Sequence, residues 1–403
     1  MKEQKKQPEL RFKGFTDDWE QVKLGNIFEK KNELNRNQFT ENRTISIATM
    51  TFKPSGNGAD ENSIPKYKVL RLGDIAFEGH KNKDFAFGRF LMNDIGDGII
   101  SPRFTFLHAK EKLDIDFWKY YIHHESIMRT ILVKSTKQGT MMNELVVTDF
   151  LKQGIKVPEK SEQKIIGIFL TRLDHTITLQ QRKRELLKKL KRGYLQQMFP
   201  AKDSVNPQLR FNEFNSNWEP YKLGEIAEIV GGGTPSTGVP EYWDGDIDWY
   251  SPTEIGESIY VAESLKKITE SGLNKSSAKM LPTGTILFTS RAGIGNTAIL
   301  AKTGSTNQGF QSILPKRNIL DSYFIFSRTT ELKKYGEITG AGSTFIEVSG
   351  KQMAQMPICI PCFEEQKKIG IFFQKLDHGI TLQQSKVDKL KNLKQAYLQK
   401  LFP

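Results

Sequence analysis

The sequence predicts an α/β fold built twice: two globular α/β domains separated by two long helices that pair as an antiparallel coiled coil, in a pseudo-twofold repeat. Three observations predict it. A head block, PELRFKGFTDDWEQVKLGNIFE at residues 8–29, returns as PQLRFNEFNSNWEPYKLGEIAE at residues 207–228. A tail block, EQKIIGIFLTRLDHTITLQQRKRELLKKLKRGYLQQMFP at 162–200, returns as EQKKIGIFFQKLDHGITLQQSKVDKLKNLKQAYLQKLFP at 365–403. Both tails repeat their apolar positions at alternating steps of four and three, the a/d seam of a coiled coil. Duplication on this scale fixes the architecture before any local motif does.

In the head, Phe12, Phe15, Trp19, Leu24 and Gly25 are matched by Phe211, Phe214, Trp218, Leu223 and Gly224. The bodies that follow, roughly 30–154 and 229–357, share little sequence. Drift after a duplication would not spare head and tail while erasing the middle, so a shared frame with two divergent inserts implies one task performed twice on different targets. The bodies mix β-branched and aromatic runs (44–48, 286–289, with 358–360 just beyond) with Gly, Pro, Asn and Asp turns and helical stretches such as 116–132. That mixture is α/β, but it yields no strand order.

The tails carry the seam. Leu173, Ile177, Leu187, Tyr194 and Met198 form it in the first copy, and Leu376, Ile380, Val387, Leu390, Tyr397 and Leu401 in the second. Gln180, Arg184 and Lys191, and then Gln383 and Lys394, interrupt the two seams, so neither is stable alone and each needs the other. The expected division is a first domain at 1–157, a spacer helix region at 158–200, a second domain at 201–357 and a C-terminal spacer helix region at 358–403.

Composition narrows the function classes. At 37% hydrophobic and 10% aromatic residues, the chain can bury real cores. No run approaches the ~18 apolar residues of a membrane helix. The opening MKEQKKQPEL has no apolar stretch for a signal peptide, and only Cys359 and Cys362 occur, which together place the chain in the cytoplasm. Their C-I-P-C spacing lacks two further soft ligands, the repeat supplying Lys156 and Glu159 instead, so no metal is expected. The net charge of +13 calls for a polyanionic partner. It is spread as +5 over 1–160, +6 over 161–200, −2 over 201–360 and +4 over 361–403, so any nucleic-acid contact in the second body comes from a local patch.

At the second body the residues resemble a known family. GGGTPSTGVPEYWDGDIDWYSPTEIGE (231–257), ITESGLNKSSAKMLPTGTILFTSRAGIGNTAI (268–299) and NQGFQSI (307–313) look like a target recognition domain of the DNA-specificity subunits of type I restriction-modification systems. The tails resemble that family's helical spacers. The first body echoes only fragments, RLGDIAF, ISPRFTF and KQGTMMN. The resemblance implies a clamp on double-stranded DNA, each recognition domain reading one half of a bipartite asymmetric site, the helices setting the gap. It also implies two modification subunits and restriction subunits as partners, with S-adenosylmethionine, ATP and magnesium held by them and no cofactor in this chain.

The sequence carries no catalytic motif to set against this. There is no N/D-P-P-Y/F motif for amino methylation, and GGGTPSTG and GAGST lack the lysine of a phosphate loop. SRAGIG reads as a tight turn, and the two E-Q-K triplets lack the Pro-Asp half of a nuclease site, their acids complementing a helix dipole instead. For DNA contact the first candidate is Arg291, because an arginine fork reads guanine and the glycines beside it permit close approach. Thr234, Thr237, Asn307, Gln308 and Gln311 accompany it. In the first body the candidates are Lys81, Lys83, Arg89, Arg103, Lys137 and Gln138, while Trp243 and Trp249 read as core. The run RKRELLKKLKR at 182–192 is either a solvated coil face or a phosphate track. A self-sufficient metal-dependent nuclease and a coiled-coil scaffold remain the alternative classes.

Overall fold

The computed structural model describes residues 7–403 except 57, 59, 140–141, 202–203, 292 and 341–346. Two compact units divide the chain: unit 1 is Met1–Arg182 with Ser385–Pro403, and unit 2 is Lys183–Gln384. Both divisions fall inside a long helix, Lys160–Gln197 in the first copy and Phe363–Leu401 in the second.

In unit 1 the antiparallel pair Glu20–Lys23 and Gly154–Val157 ties the head to the start of the first long helix. A four-stranded sheet follows in the order Phe28–Glu29, Thr105–Ala109, Ile75–Glu78, Arg89–Met92. A second sheet runs Thr51–Lys53, Thr44–Ser46, Gly98–Ile100, Lys68–Leu70, its central two strands parallel.

Unit 2 repeats this plan. Glu219–Lys222 pairs with Pro357–Ile360, and a five-stranded sheet runs Ala227–Gly231, Gln311–Pro315, Ile286–Phe288, Thr297–Leu300, Tyr260–Val261. A three-stranded sheet holds Lys266–Ile268, Trp243–Tyr250 and Ser305–Thr306, the last two again parallel. Even the register recurs. Ile75 faces Met92 on one side and Leu107 on the other, as Ile286 faces Ile299 and Ile313. Bodies with little common sequence therefore share one strand order. The strands that carry it, IAFE and ILF, are buried throughout, so any apolar residue of suitable volume fills them and the pattern leaves no alternation to read.

The frame is held by paired devices. Asp114 caps the helix Ile115–Tyr121 by accepting from the Phe117 amide, and Asp321 caps Ser322–Ser327 by accepting from that of Phe324. Arg11 forks onto Glu162 at 2.7 and 2.9 Å, and Arg210 onto Glu365 at 2.7 Å twice. The end of each tail plugs a core. Leu401 and Phe402 are buried in unit 1, Phe402 lying 6.5 Å from Trp19, and Met198 and Phe199 are buried in unit 2, Phe199 lying 6.2 Å from Trp218. The amide of Leu10 donates to the Lys400 carbonyl and that of Leu209 to the Gln197 carbonyl, both at 2.9 Å. One bond joins the two ends of the chain; the other joins residues twelve apart.

Within each unit the two long helices run antiparallel. In unit 1 Phe169 meets Tyr397 edge to face at 4.8 Å and Asp174 meets Lys394 at 2.6 Å. In unit 2 Tyr194 meets Phe372 at 4.9 Å and Lys191 meets Asp377 at 2.6 Å. Ile177, Met198, Val387 and Leu401 are buried, and Leu173, Leu187, Tyr194, Leu376, Ile380, Leu390 and Tyr397 are half-buried, whereas the neighbouring Leu179, Leu186, Leu382 and Leu393 are exposed. His175 and His378 lie on the solvent side of the helices.

Candidate nucleic-acid interface

The shared register turns two lists of candidates into one map. Counting along the matched strands from Ile75 and Ile286, Gly79 corresponds to Ser290 and His80 to Arg291; counting from Leu107 and Ile313, Arg103 corresponds to Gly309. The loop 79–88, with Lys81 and Lys83, thus stands where unit 2 carries Arg291. The segment 101–104, with Arg103, stands where unit 2 carries Asn307 and Gln308. The amide of Asn143 donates to the Gly79 carbonyl at 2.9 Å, and the amide of Val348 to the Ser290 carbonyl at 3.1 Å. Asn143 and Val348 are thus anchored at the same point of their two frames; Thr140, Met141 and most of GAGST lie outside the described residues.

In unit 2 several candidates converge. Thr234 donates to Gln308, and the Gly233 amide to the Thr306 carbonyl at 2.9 Å. The Ser290 amide reaches the Gly309 carbonyl at 2.8 Å, and Arg291 forms a backbone bridge with Glu347. A Cβ on Gly232 would stand 2.0 Å from the Asn307 carbonyl oxygen, so only glycine lets these two loops touch. Gln311 lies against Gly350 at the same edge. Thr237, on an exposed turn, has no bond to the others among the described residues. Trp249 is buried and Trp243 half-buried, the pair meeting edge to face at 5.2 Å.

In unit 1 Lys81, Lys83, Arg103, Lys137 and Gln138 are exposed. Arg89 is different: its Nε donates to Glu78 at 2.6 Å and its Nη2 to the Ala48 carbonyl at 3.0 Å, closing the neck of the 79–88 loop. In unit 2 the same neck is closed without charge, the Asn296 amide donating to the Thr289 hydroxyl at 2.9 Å. Four residues escaped the sequence reading: Thr44, Lys53, Glu78 and His80, which with Arg103 and Ser46 line a cavity of about 180 Å³. Nothing in their spacing marks them, because three separate strands bring them together.

Among the described residues no group of His, Cys, Asp or Glu is arranged to hold a metal, and no helix is long and apolar enough to cross a membrane. Cys359 and Cys362 are both free thiols.

Two copies of one α/β frame, each leading into a long helix and each presenting different polar loops on the same strands, define a duplicated protein with paired variable edges. The sequence signature described as the type I restriction modification DNA specificity domain matches residues 16–189 and 215–392, and the chain belongs to that family. It is 38% identical over 164 residues to the type I restriction enzyme MjaIX specificity subunit of Methanocaldococcus jannaschii, and 32% identical over 177 residues to the EcoR124I/EcoR124II specificity subunit of Escherichia coli. Those matches span 38% and 43% of the two relatives and 40% and 42% of this chain. The putative MjaX specificity subunit is 23% identical, with 95% of this chain and 92% of that protein covered. In fold, the chain resembles the crystal structure of a type I restriction-modification S subunit from M. genitalium, with a TM-score of 0.60 at 17% identity over 98% of this chain and 99% of that one.

Proposed function

We propose that the chain is the DNA sequence-reading subunit of a type I restriction-modification complex. Unit 1 reads one half of a bipartite asymmetric site and unit 2 the other, while the paired helices set the gap and dock two modification subunits. The reading rests on one observation: equivalent loops on the same strands carry Lys81, Lys83 and Arg103 in unit 1 and Arg291, Asn307 and Gln308 in unit 2, with Thr234 joined to the last of these. A common scaffold with different donor and acceptor sets is what two different base sequences demand. The net charge of +13 supplies phosphate attraction to the chain as a whole, and in the second body, at −2 over 201–360, a local patch supplies it.

In this reading the chain transfers no methyl group and cuts no bond. Methylation with S-adenosylmethionine, and ATP- and magnesium-dependent cleavage, belong to modification and restriction subunits, and the complex works in the cytoplasm. The test is exchange of residues 229–357 for the corresponding body of another family member, in cells that also make the modification subunit. Mapping methylated adenines across the genome should reveal one changed half-site, with the other half and the gap intact. A change in both halves would overturn the assignment of one half-site to each unit.

A further inference from the structure

The 180 Å³ cavity of unit 1 has a chemically mixed lining. Its rim is exposed and carries the cations Lys53 and Arg103 beside His80. Its wall holds Glu78, which is buried; Oε2 of that carboxylate accepts from Arg89 at 2.6 Å, whereas Oε1 stands 3.8 Å from His80 Nδ1, beyond hydrogen-bond reach. Thr44, also in the lining and 2% exposed, has a buried hydroxyl with no hydrogen-bond partner among the described residues. In unit 2 the place of Arg103 is taken by Gly309, and Pro252 rests on it: a Cβ there would stand 2.8 Å from the proline ring.

We propose that this cavity reads a C·G base pair in the major groove and so determines one position of the half-site read by unit 1. Glu78 accepts from the cytosine exocyclic amine, and Arg103 donates to the guanine O6 and N7. The size suits the edge of a base and is too small for a nucleotide. A phosphate would suit Lys53 and Arg103, but the buried carboxylate repels it and accepts only from a donor. The orphaned Thr44 hydroxyl gains a partner once a base edge enters.

This inference rests on the function proposed above, and the test separates the two. Methylated motifs are mapped in cells making the modification subunit with the wild-type chain, Glu78→Gln or Arg103→Met. Glutamine keeps an acceptor oxygen for Arg89, so the loop neck survives, but its amide also donates to the O4 of thymine. Glu78→Gln should therefore extend methylation to sites with T·A in place of that one C·G pair, leaving the other half-site and the gap unchanged. Arg103→Met should weaken binding of the purified chain to a cognate duplex by about tenfold to a hundredfold, and far less to a duplex already altered at that pair. A half-site without a C·G pair, an unchanged motif in Glu78→Gln, or equal losses on both duplexes with Arg103→Met overturns the inference. Absence of any methylated motif with the wild-type chain overturns the proposed function instead.

Discussion

Units 1 and 2 agree where side chains are buried in the frame and differ where they meet solvent or one another at the edge. The carbonyl of Lys156 accepts from the Tyr121 hydroxyl, and the carbonyl at the matching place, Cys359, accepts from Arg328 at 2.7 Å. Both side chains also pack on the plug, Tyr121 at 5.6 Å from Phe402 and Arg328 at 5.6 Å from Phe199. A phenol and a guanidinium thus do one structural job, because the frame specifies a donor and a flat surface, not a residue. The edge shows the opposite. Loop necks closed by an ion pair in one unit and by a hydroxyl in the other carry loops of different length and charge, which the frame tolerates because solvent imposes no shape on them.

The largest difference between the units is expected at the plugs. Phe402→Ala should cost about 3–5 kcal/mol in unit 1, and Phe199→Ala the same in unit 2, since each removes a ring from a closed aromatic cluster. Amide hydrogen exchange of the whole chain should show protection falling in the unit that loses its ring. If Phe402→Ala loosened unit 2 as much as unit 1, the plugs would not be independent.

A smaller difference is expected at the helix pairs. Asp174 accepts from Tyr120 at 2.6 Å and pairs with Lys394; Asp377 accepts from Tyr323 at 2.9 Å and pairs with Lys191. The constellations match, but the Asp174 side chain is 39% exposed and that of Asp377 only 9%. Asp377→Asn should therefore cost about 1–3 kcal/mol, because its carboxylate is the one shielded from solvent, and Asp174→Asn under about 1 kcal/mol. Equal losses in denaturant titrations would show that exposure does not set the difference.

The smallest effect concerns acid. Burial holds the imidazoles of His123 and His124 below the ordinary histidine range, and His124 packs on Phe402 at 5.2 Å. Unit 2 has one histidine, the exposed His378. A depressed folded-state pKa means that the stabilisation is present above the unfolded value, near 6.5, and lost as pH falls through the folded value. Unit 1 should lose stability over that descent and unit 2 should not. Thermal melts from pH 8 to 5.5 of wild type and of His123→Gln with His124→Gln should converge towards acid pH; parallel curves would contradict the assignment.

The duplication, the heads and tails, the seam, and the sets of polar residues among which a reading edge had to lie are all legible along the chain. All of these are local or periodic signals, carried by residues whose spacing along the chain is their spacing in the helix or repeat. Only the tertiary structure decided the strand order of the bodies, the equivalence of His80 with Arg291, the withdrawal of Arg89 into a loop neck, and the cavity around Glu78. Strands such as Ile286–Phe288 are three residues long and wholly buried, so they carry no alternation to fix a face or a register. Their partners lie tens of residues away, and long-range pairing, not local pattern, selects them. The cavity follows from that pairing: Thr44, Glu78 and Arg103 belong to three distant segments, and only the registers of two sheets put a buried acid, an unpartnered hydroxyl and a guanidinium around one space.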